Sequence, residues 1–219
     1  EYQLTLTVTD NDGATASATV SVKVKNTTAG RLFTNETWTG EHRLNGDVLV
    51  PEGVTLTVLP GARVIVDGIP GVTGYNHTLK VEGRLMINED GPEVSFSSVL
   101  AGPNSWQGIG LYGSADLKNL RIEHAVRGIA VINSDRVTIS NCSFLHNQVG
   151  VHVYGCRPQI EQTQFEKNTF CGIKEDFSGR PLVTDCRFIN NGIDYYHEEL
   201  TALSIEQLNG IEGNSGNRH

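Results

Sequence analysis

Residues 1 to 25 alternate between apolar and polar. Leu4, Leu6 and Val8 share one side of a first run, Asp10-Asn11-Asp12-Gly13 interrupts it, and Ala18, Val20, Val22 and Val24 resume the alternation. A period of two is a strand signal, and an Asx-Gly pair accepts the positive φ of a tight turn, so the pattern predicts a β-hairpin. Asn26-Thr27-Thr28-Ala29-Gly30 is short and polar and reads as a linker. From Leu44 the apolar runs become shorter and closer together. Val48-Leu49-Val50, Val54 to Val58, Arg63 to Val66, Thr78 to Ile87 and Val94 to Phe96 are separated by Pro-Glu-Gly, Pro-Gly-Ala and similar turn signals.

Further on the spacing becomes regular. Gly128-Ile129, Gly150-Val151, Gly172-Ile173 and Asp194-Tyr195 recur every 22 residues. Between them runs a second element: Val137 to Phe144, then Pro158 to Phe165, then Pro181 to Phe188, each followed three residues later by Asn147, Asn168 or Asn191. A fixed period in the range of about 20 to 50 residues marks a solenoid, whose unit cannot bury its apolar side alone and stacks on its neighbours. Three short strands per coil with turns between them predict an all-β fold, a right-handed parallel β-helix of six or seven coils over 31–219. Both ends need covers. Phe33 and Trp38 in 31–43 are candidates for one end. Leu200, Leu203, Leu208 and Ile211 lie near helical spacing at the other, which favours a short capping helix over a last strand.

Composition narrows the partners. The net charge is −8, with no cluster of Lys or Arg, which argues against nucleic acid and anionic membrane. No apolar run approaches the roughly 18 residues of a membrane helix, and no signal peptide opens the chain. Because the first residues already alternate as a strand, the expectation is a piece of a longer protein whose targeting signal lies elsewhere. Of four cysteines, Cys142 and Cys186 share a repeat position two coils apart, nearly 10 Å at about 4.8 Å per coil, beyond the roughly 7 Å limit for a disulfide. Cys171 reads as a small core residue and Cys156 as a turn residue, so four free thiols are expected, three of them buried.

Two resemblances extend this reading. Tyr2 to Ala14, with its Thr-x-Thr alternation into Asp10-Asn11-Asp12-Gly13, resembles the last two strands of a PKD domain, an immunoglobulin-like module of surface proteins. The earlier strands of such a module are absent, and two strands alone are marginal in water. The order Val-Pro-Glu-Gly-Val-Thr-Leu-Thr-Val-Leu-Pro-Gly-Ala (50–62), Leu-Lys-Val-Glu-Gly-Arg-Leu (79–85), Trp-Gln-Gly-Ile (106–109) and Leu-Lys-Asn-Leu-Arg-Ile-Glu-His-Ala (117–125) resembles the extracellular parallel β-helix repeat proteins, of the pectate-lyase-like superfamily. The resemblance implies a secreted or surface-attached module. Its superfamily holds lyases, hydrolases, adhesins and sheath proteins alike, so function has to be argued from a site.

Alternation points to one site. If Val149, Val151 and Val153 face inward, then Gly150, His152 and Tyr154 face outward. Stacking coils then builds two outer ladders, Ala130-His152-Lys174-Tyr196 and Ile132-Tyr154-Asp176-Glu198. Carbohydrate-active β-helices commonly bind substrate along this outer face, which the resemblance carries to His152, Tyr154, Lys174, Asp176 and Tyr196 as sugar-contacting residues. Three readings stay open. Asp176 and Glu198 would be paired acids of a glycoside hydrolase, or Lys174 or His152 the base of a polysaccharide lyase. Tyr154 and Tyr196 would bind sugar without turnover. Or the patch is a solvated strand face laced by ion pairs. Glu175 and His197 fall at inward positions; the simpler expectation is that the strand ends there and both reach solvent, the alternative a buried pair.

No cofactor is expected. Calcium at Asp10-Asn11-Asp12-Gly13 lacks the later carboxylate that a calcium loop needs, and a plain turn is favoured. His42, His77, His124 and His146 show no metal-ligand spacing. Asn147, Asn168 and Asn191 read as a turn-stabilising ladder. The leading expectation is a non-catalytic extracellular structural, adhesive or carbohydrate-binding module, with a polysaccharide or cell-surface glycan and other domains of its parent protein as partners. That expectation is favoured because the large insertions that build a substrate cleft are missing, only 67–77 and 99–106 departing from the compact coil; the alternatives are a polysaccharide lyase or hydrolase acting along the exposed first face, and a filament subunit that self-assembles through residues 1–25.

Overall fold

A computed structural model describes residues 2–22, 27–68, 77–102, 104–176, 178–198 and 201–203. The hairpin is present: Tyr2–Thr9 pairs antiparallel with Thr15–Val22, from Tyr2 opposite Val22 to Thr9 opposite Thr15. Its turn uses Gly13 at φ 84°. The Asp10 carboxylate accepts the N–H groups of Asp12 and Ala14 at 3.0 and 2.8 Å, so this side chain is spent on the turn itself. Leu4, Leu6, Val8 and Val20 are all more than half exposed, up to 68% for Leu6.

The rest of the described chain is a right-handed parallel solenoid with three faces. Seven strands stack on the second face, one per coil, which counts the turns of the helix. The first and third faces are joined at the N-terminal end by one long strand, Glu41–Val50. Its first half pairs with Arg63–Val66 and its second half with Thr78–Val81. Thr27–Arg31 pairs with this strand as well, so four residues of the expected linker already belong to the first coil. In that coil Trp38 is buried and stacks on His42 at 5.0 Å, whereas Phe33 is 86% exposed and covers nothing. Phe33 follows the strand at an outward-facing bend, which alternation across 31–43 did not reveal.

The repeat has a physical cause in three internal ladders. Phe144, Phe165 and Phe188 stack with ring centroids 5.4 and 4.9 Å apart. Glycines 128, 150 and 172 make room for them: a Cβ at Gly150 would lie 2.5 Å from the Gly172 carbonyl oxygen and 2.7 Å from the Phe165 ring. Gly150 therefore faces the phenylalanine stack rather than solvent, and strict alternation on this strand starts at Val151. Asn147, Asn168 and Asn191, all buried, form the expected ladder. Each Nδ2 donates to a carbonyl oxygen of the preceding coil, of Ile122, Phe144 and Phe165 at 3.1, 3.0 and 2.9 Å. The side-chain oxygens of Asn168 and Asn191 in turn accept the backbone N–H of Asn147 and Asn168. A buried turn thus loses no backbone hydrogen bond.

Each regular coil turns its corners with single left-handed residues. Asn119, Asn141, Gln162 and Asp185 lead into the third face, and His124, His146, Lys167 and Asn190 lead out of it, all with φ between 49° and 64°. Non-glycine residues tolerate this region as isolated positions. All four cysteines are free and buried, so Cys156, expected at a solvent-facing turn, packs inward instead.

At the C-terminal end Ile193–His197 is followed by Thr201–Leu203, which pairs antiparallel with it, Tyr195 opposite Leu203. A strand, not the favoured helix, therefore begins this end. The rest of the expected helix, from 204 on, lies outside the described residues. The strand reversal stops the first face at His197, because the chain must turn back to pair with its own last strand.

Candidate functional site

The first face is built from Thr78–Val81, Trp106–Leu111, Ala125–Ile132, Val149–Tyr154, Cys171–Asp176 and Ile193–His197, in parallel register. The first outer ladder is present: Ala130 pairs with His152, His152 with Lys174 and Lys174 with Tyr196. The second holds through Ile132, Tyr154 and Asp176. Glu198 lies one residue beyond the last pair of this strand, Glu175 with His197. It lies exposed in the turn after His197, its backbone N–H bonded to the Glu175 carbonyl at 3.2 Å.

Asp176 is the centre of what remains. Its Oδ2 accepts Lys174 Nζ at 2.6 Å and meets His152 Nε2 at 2.7 Å. Although it faces outward, the residue is only 6% exposed, and its Oδ1 is buried with no hydrogen-bond partner among the described residues. Burial alone would raise the Asp176 pKa, but the hydrogen bonds from Lys174 and His152 outweigh it and hold the carboxyl below its ordinary value. Burial also holds His152 below the usual imidazole range, against the upward pull of Asp176. The imidazole is thus neutral near pH 7, and the Lys174 charge is matched by Asp176. Tyr196 closes the patch, 5.2 Å from Phe170 in a tilted pair, with Lys174 Nζ 5.9 Å from its ring centroid.

Immediately inside the same strand lies a second cluster. Glu175 and His197 do not reach solvent; Glu175 is 3% exposed and His197 is buried. The Glu175 carboxylate accepts the Tyr195 hydroxyl and an Arg180 N–H, and His197 Nε2 lies 3.5 Å from it. Tyr195, itself buried, is pushed far above the normal phenol range by burial and then by Glu175. The strand did not end where expected, because Arg180 folds back from the following loop and supplies the counter-charge that lets Glu175 stay at an apolar position.

The sequence reading missed a matching arrangement at the other end of the first face. Lys80 Nζ binds Glu82 at 2.7 Å and lies 4.9 Å from the centroid of the Tyr112 ring in the next coil. The signal was present as a repeated Lys-x-acid spacing, Lys80-Val81-Glu82 and Lys174-Glu175-Asp176. Between the two stations the ladder passes through Gly110 and Ala130, which leave a low floor.

Other chemistry finds less support. Burial pushes the thiols of Cys142 and Cys171 up to about 12 and that of Cys186 to about 11, values unsuited to a nucleophile. Among the described residues no three His, Cys, Asp or Glu side chains converge as a metal site would require.

Comparison with known families agrees with this architecture. A family model described as a right handed beta helix region matches residues 107–217, about half of the 219-residue chain. The chain belongs to the right-handed β-helix family. No curated protein and no solved structure matches it. The matched span includes Val149–Tyr154 and Cys171–Asp176, so the patch lies within the part of the chain that defines the β-helix membership.

Proposed function

We propose that this β-helix is a non-catalytic, carbohydrate-binding module of a larger secreted or cell-surface protein, and that its first face contacts the glycan through Tyr154 and Tyr196 beside His152, Lys174 and Asp176. The observation that carries this reading is the convergence of His152 and Lys174 on one oxygen of Asp176. A general base needs a free lone pair directed at substrate. The Lys174 ammonium is instead ion-paired with the Asp176 carboxylate at 2.6 Å. Glu198 is exposed in the turn after His197, outside the cluster that His152 and Lys174 form on Asp176. What is left is aromatic surface next to fixed polar groups, the composition of a sugar-binding strip.

A second reading has its own observation. The exposed Leu4, Leu6, Val8 and Val20 favour residues 1–25 as part of a PKD-like sandwich completed by other strands, or as a self-assembly element.

A polysaccharide panel scored at once for retention and for new sugar ends tests the main reading. Retention without turnover, lost in Tyr154→Ala, is the expected result. Release of unsaturated or reducing ends that disappears in Lys174→Ala would replace the binding module by a lyase or hydrolase.

A further inference from the structure

We propose that the first face carries a second sugar-contacting station at Tyr112, Lys80 and Glu82, and that one glycan chain runs along the solenoid axis from there to the Lys174 station. The inference rests on the glycan-binding reading above and adds the course of the ligand and the residues that hold its other end.

The two stations share a plan. In each, an ammonium is ion-paired with a carboxylate two residues further on and stands beside a tyrosine of the following coil. Lys80 Nζ lies 2.7 Å from Glu82 and 4.9 Å from the Tyr112 ring centroid, and Lys174 Nζ 2.6 Å from Asp176 and 5.9 Å from that of Tyr196. The station at Lys80 is the more accessible one. Tyr112 is 46% exposed, and the Lys80 and Glu82 side chains 42% and 37%, against 24% and 7% for Lys174 and Asp176. The stations differ in charge: Lys80 is matched by Glu82, whereas exposed Arg127 adds a cation that acts on His152 at the other.

Four rungs join them, Lys80 to Gly110 to Ala130 to His152 to Lys174, about 19 Å at the spacing of neighbouring strands. No side chain larger than a methyl group rises from this ladder between Lys80 and His152. A Cβ at Gly110 would lie 3.4 Å from Tyr112 Cε2, so the ring lies back across the strand. Glycine inside a strand costs stability and often marks a close approach by a ligand. Beside this floor, Tyr112 follows Leu111, the partner of Val131, and so stands in line with Ile132 and then Tyr154. A sugar ring has an apolar side that packs on tyrosine and a hydroxyl rim that accepts from an ammonium and donates to a carboxylate. An extended peptide would need main-chain partners. Every strand here from Thr78–Val81 to Ile193–His197 is already hydrogen-bonded on both sides.

The test is isothermal titration of the full chain with β-1,4-linked gluco-oligosaccharides and with galacturono-oligosaccharides, each from two to eight sugars. Two stations on one ligand make the second contact intramolecular, so the octasaccharide of the bound series is expected to bind at least about tenfold more tightly than its disaccharide. Tyr112→Ala is expected to remove most of that gain. Gly110→Val, at an outward strand position that suits a β-branched residue, is expected to displace the ring and do the same with the fold retained. Affinity that does not rise with length overturns the inference and leaves the glycan reading intact. So does a rise that survives both variants and fails in Tyr154→Ala. Binding of neither series at any length removes the glycan reading, and the inference with it.

Discussion

Glu175 and Asp176 are consecutive carboxylates on one strand, and the fold treats them oppositely. Glu175 points into the solenoid, where Tyr195, Arg180 and His197 surround it and each of its oxygens has a partner. Asp176 points outward, holds His152 and Lys174 on one oxygen, and leaves the other without a partner. Both are buried, so burial alone does not separate structural from functional charge. The difference lies in satisfaction. The inner cluster replaces the Val131 and Val153 positions of earlier coils and closes the core near its last turn. The outer one leaves one carboxylate oxygen buried without a partner, beneath a strand face that also carries Tyr154 and Tyr196.

The strongest test of that contrast removes the inner carboxylate. Glu175→Ala leaves the Tyr195 hydroxyl, His197 and Arg180 without their acceptor. The expected loss is about 3 kcal/mol, near the low end for breaking a buried pair because Arg180 is half exposed, read by chemical denaturation. Asn168→Ala, in the regular part of the solenoid, offers a reference for what a satisfied buried polar group is worth. It strips the Phe144 carbonyl and the Asn147 N–H of their partner and is expected to cost about 2 kcal/mol in the same assay.

The outer cluster should respond far less. Asp176→Asn keeps an acceptor for Lys174, which reaches solvent in part, and is expected to lower stability by about 1 kcal/mol or less while reducing glycan retention. A loss as large as that of Glu175→Ala would erase the distinction drawn between the two carboxylates.

The smallest expected effect is a pH dependence. His152 has a folded pKa below its unfolded value of about 6.5, so the unfolded chain binds more protons as pH falls through that value, and stability declines on acidification. His42 and His124, also lowered by burial, act in the same direction. Asp176, with a depressed pKa, adds a further decline only below about pH 4. Thermal unfolding followed from pH 7.5 to 5 should show a falling Tm, less steep in His152→Gln. A rising Tm would contradict the neutral state assigned to His152.

Much of the architecture was legible because each coil repeats one local solution. The 22-residue spacing of Gly128, Gly150 and Gly172 is visible in the chain, and so are the phenylalanines and asparagines that follow them. These ladders join residues one coil apart, so a register read from sequence places them correctly. The ladder Ala130-His152-Lys174-Tyr196 followed from the same argument.

The ends were not legible, because there the repeat stops and long-range contacts take over. Sequence by itself determined the hairpin, the parallel solenoid, the free thiols and which side of the strand each candidate side chain takes, since these depend on period and local conformation. Long-range contacts alone leave Phe33 outside and bring Thr201–Leu203 back as a strand. Only the tertiary structure decided that Arg180 reaches back to keep Glu175 buried, and that Asp176 is enclosed with one oxygen unmatched. Burial and charge pairing belong to groups brought together from different coils, and no spacing along the chain encodes how completely one group satisfies another.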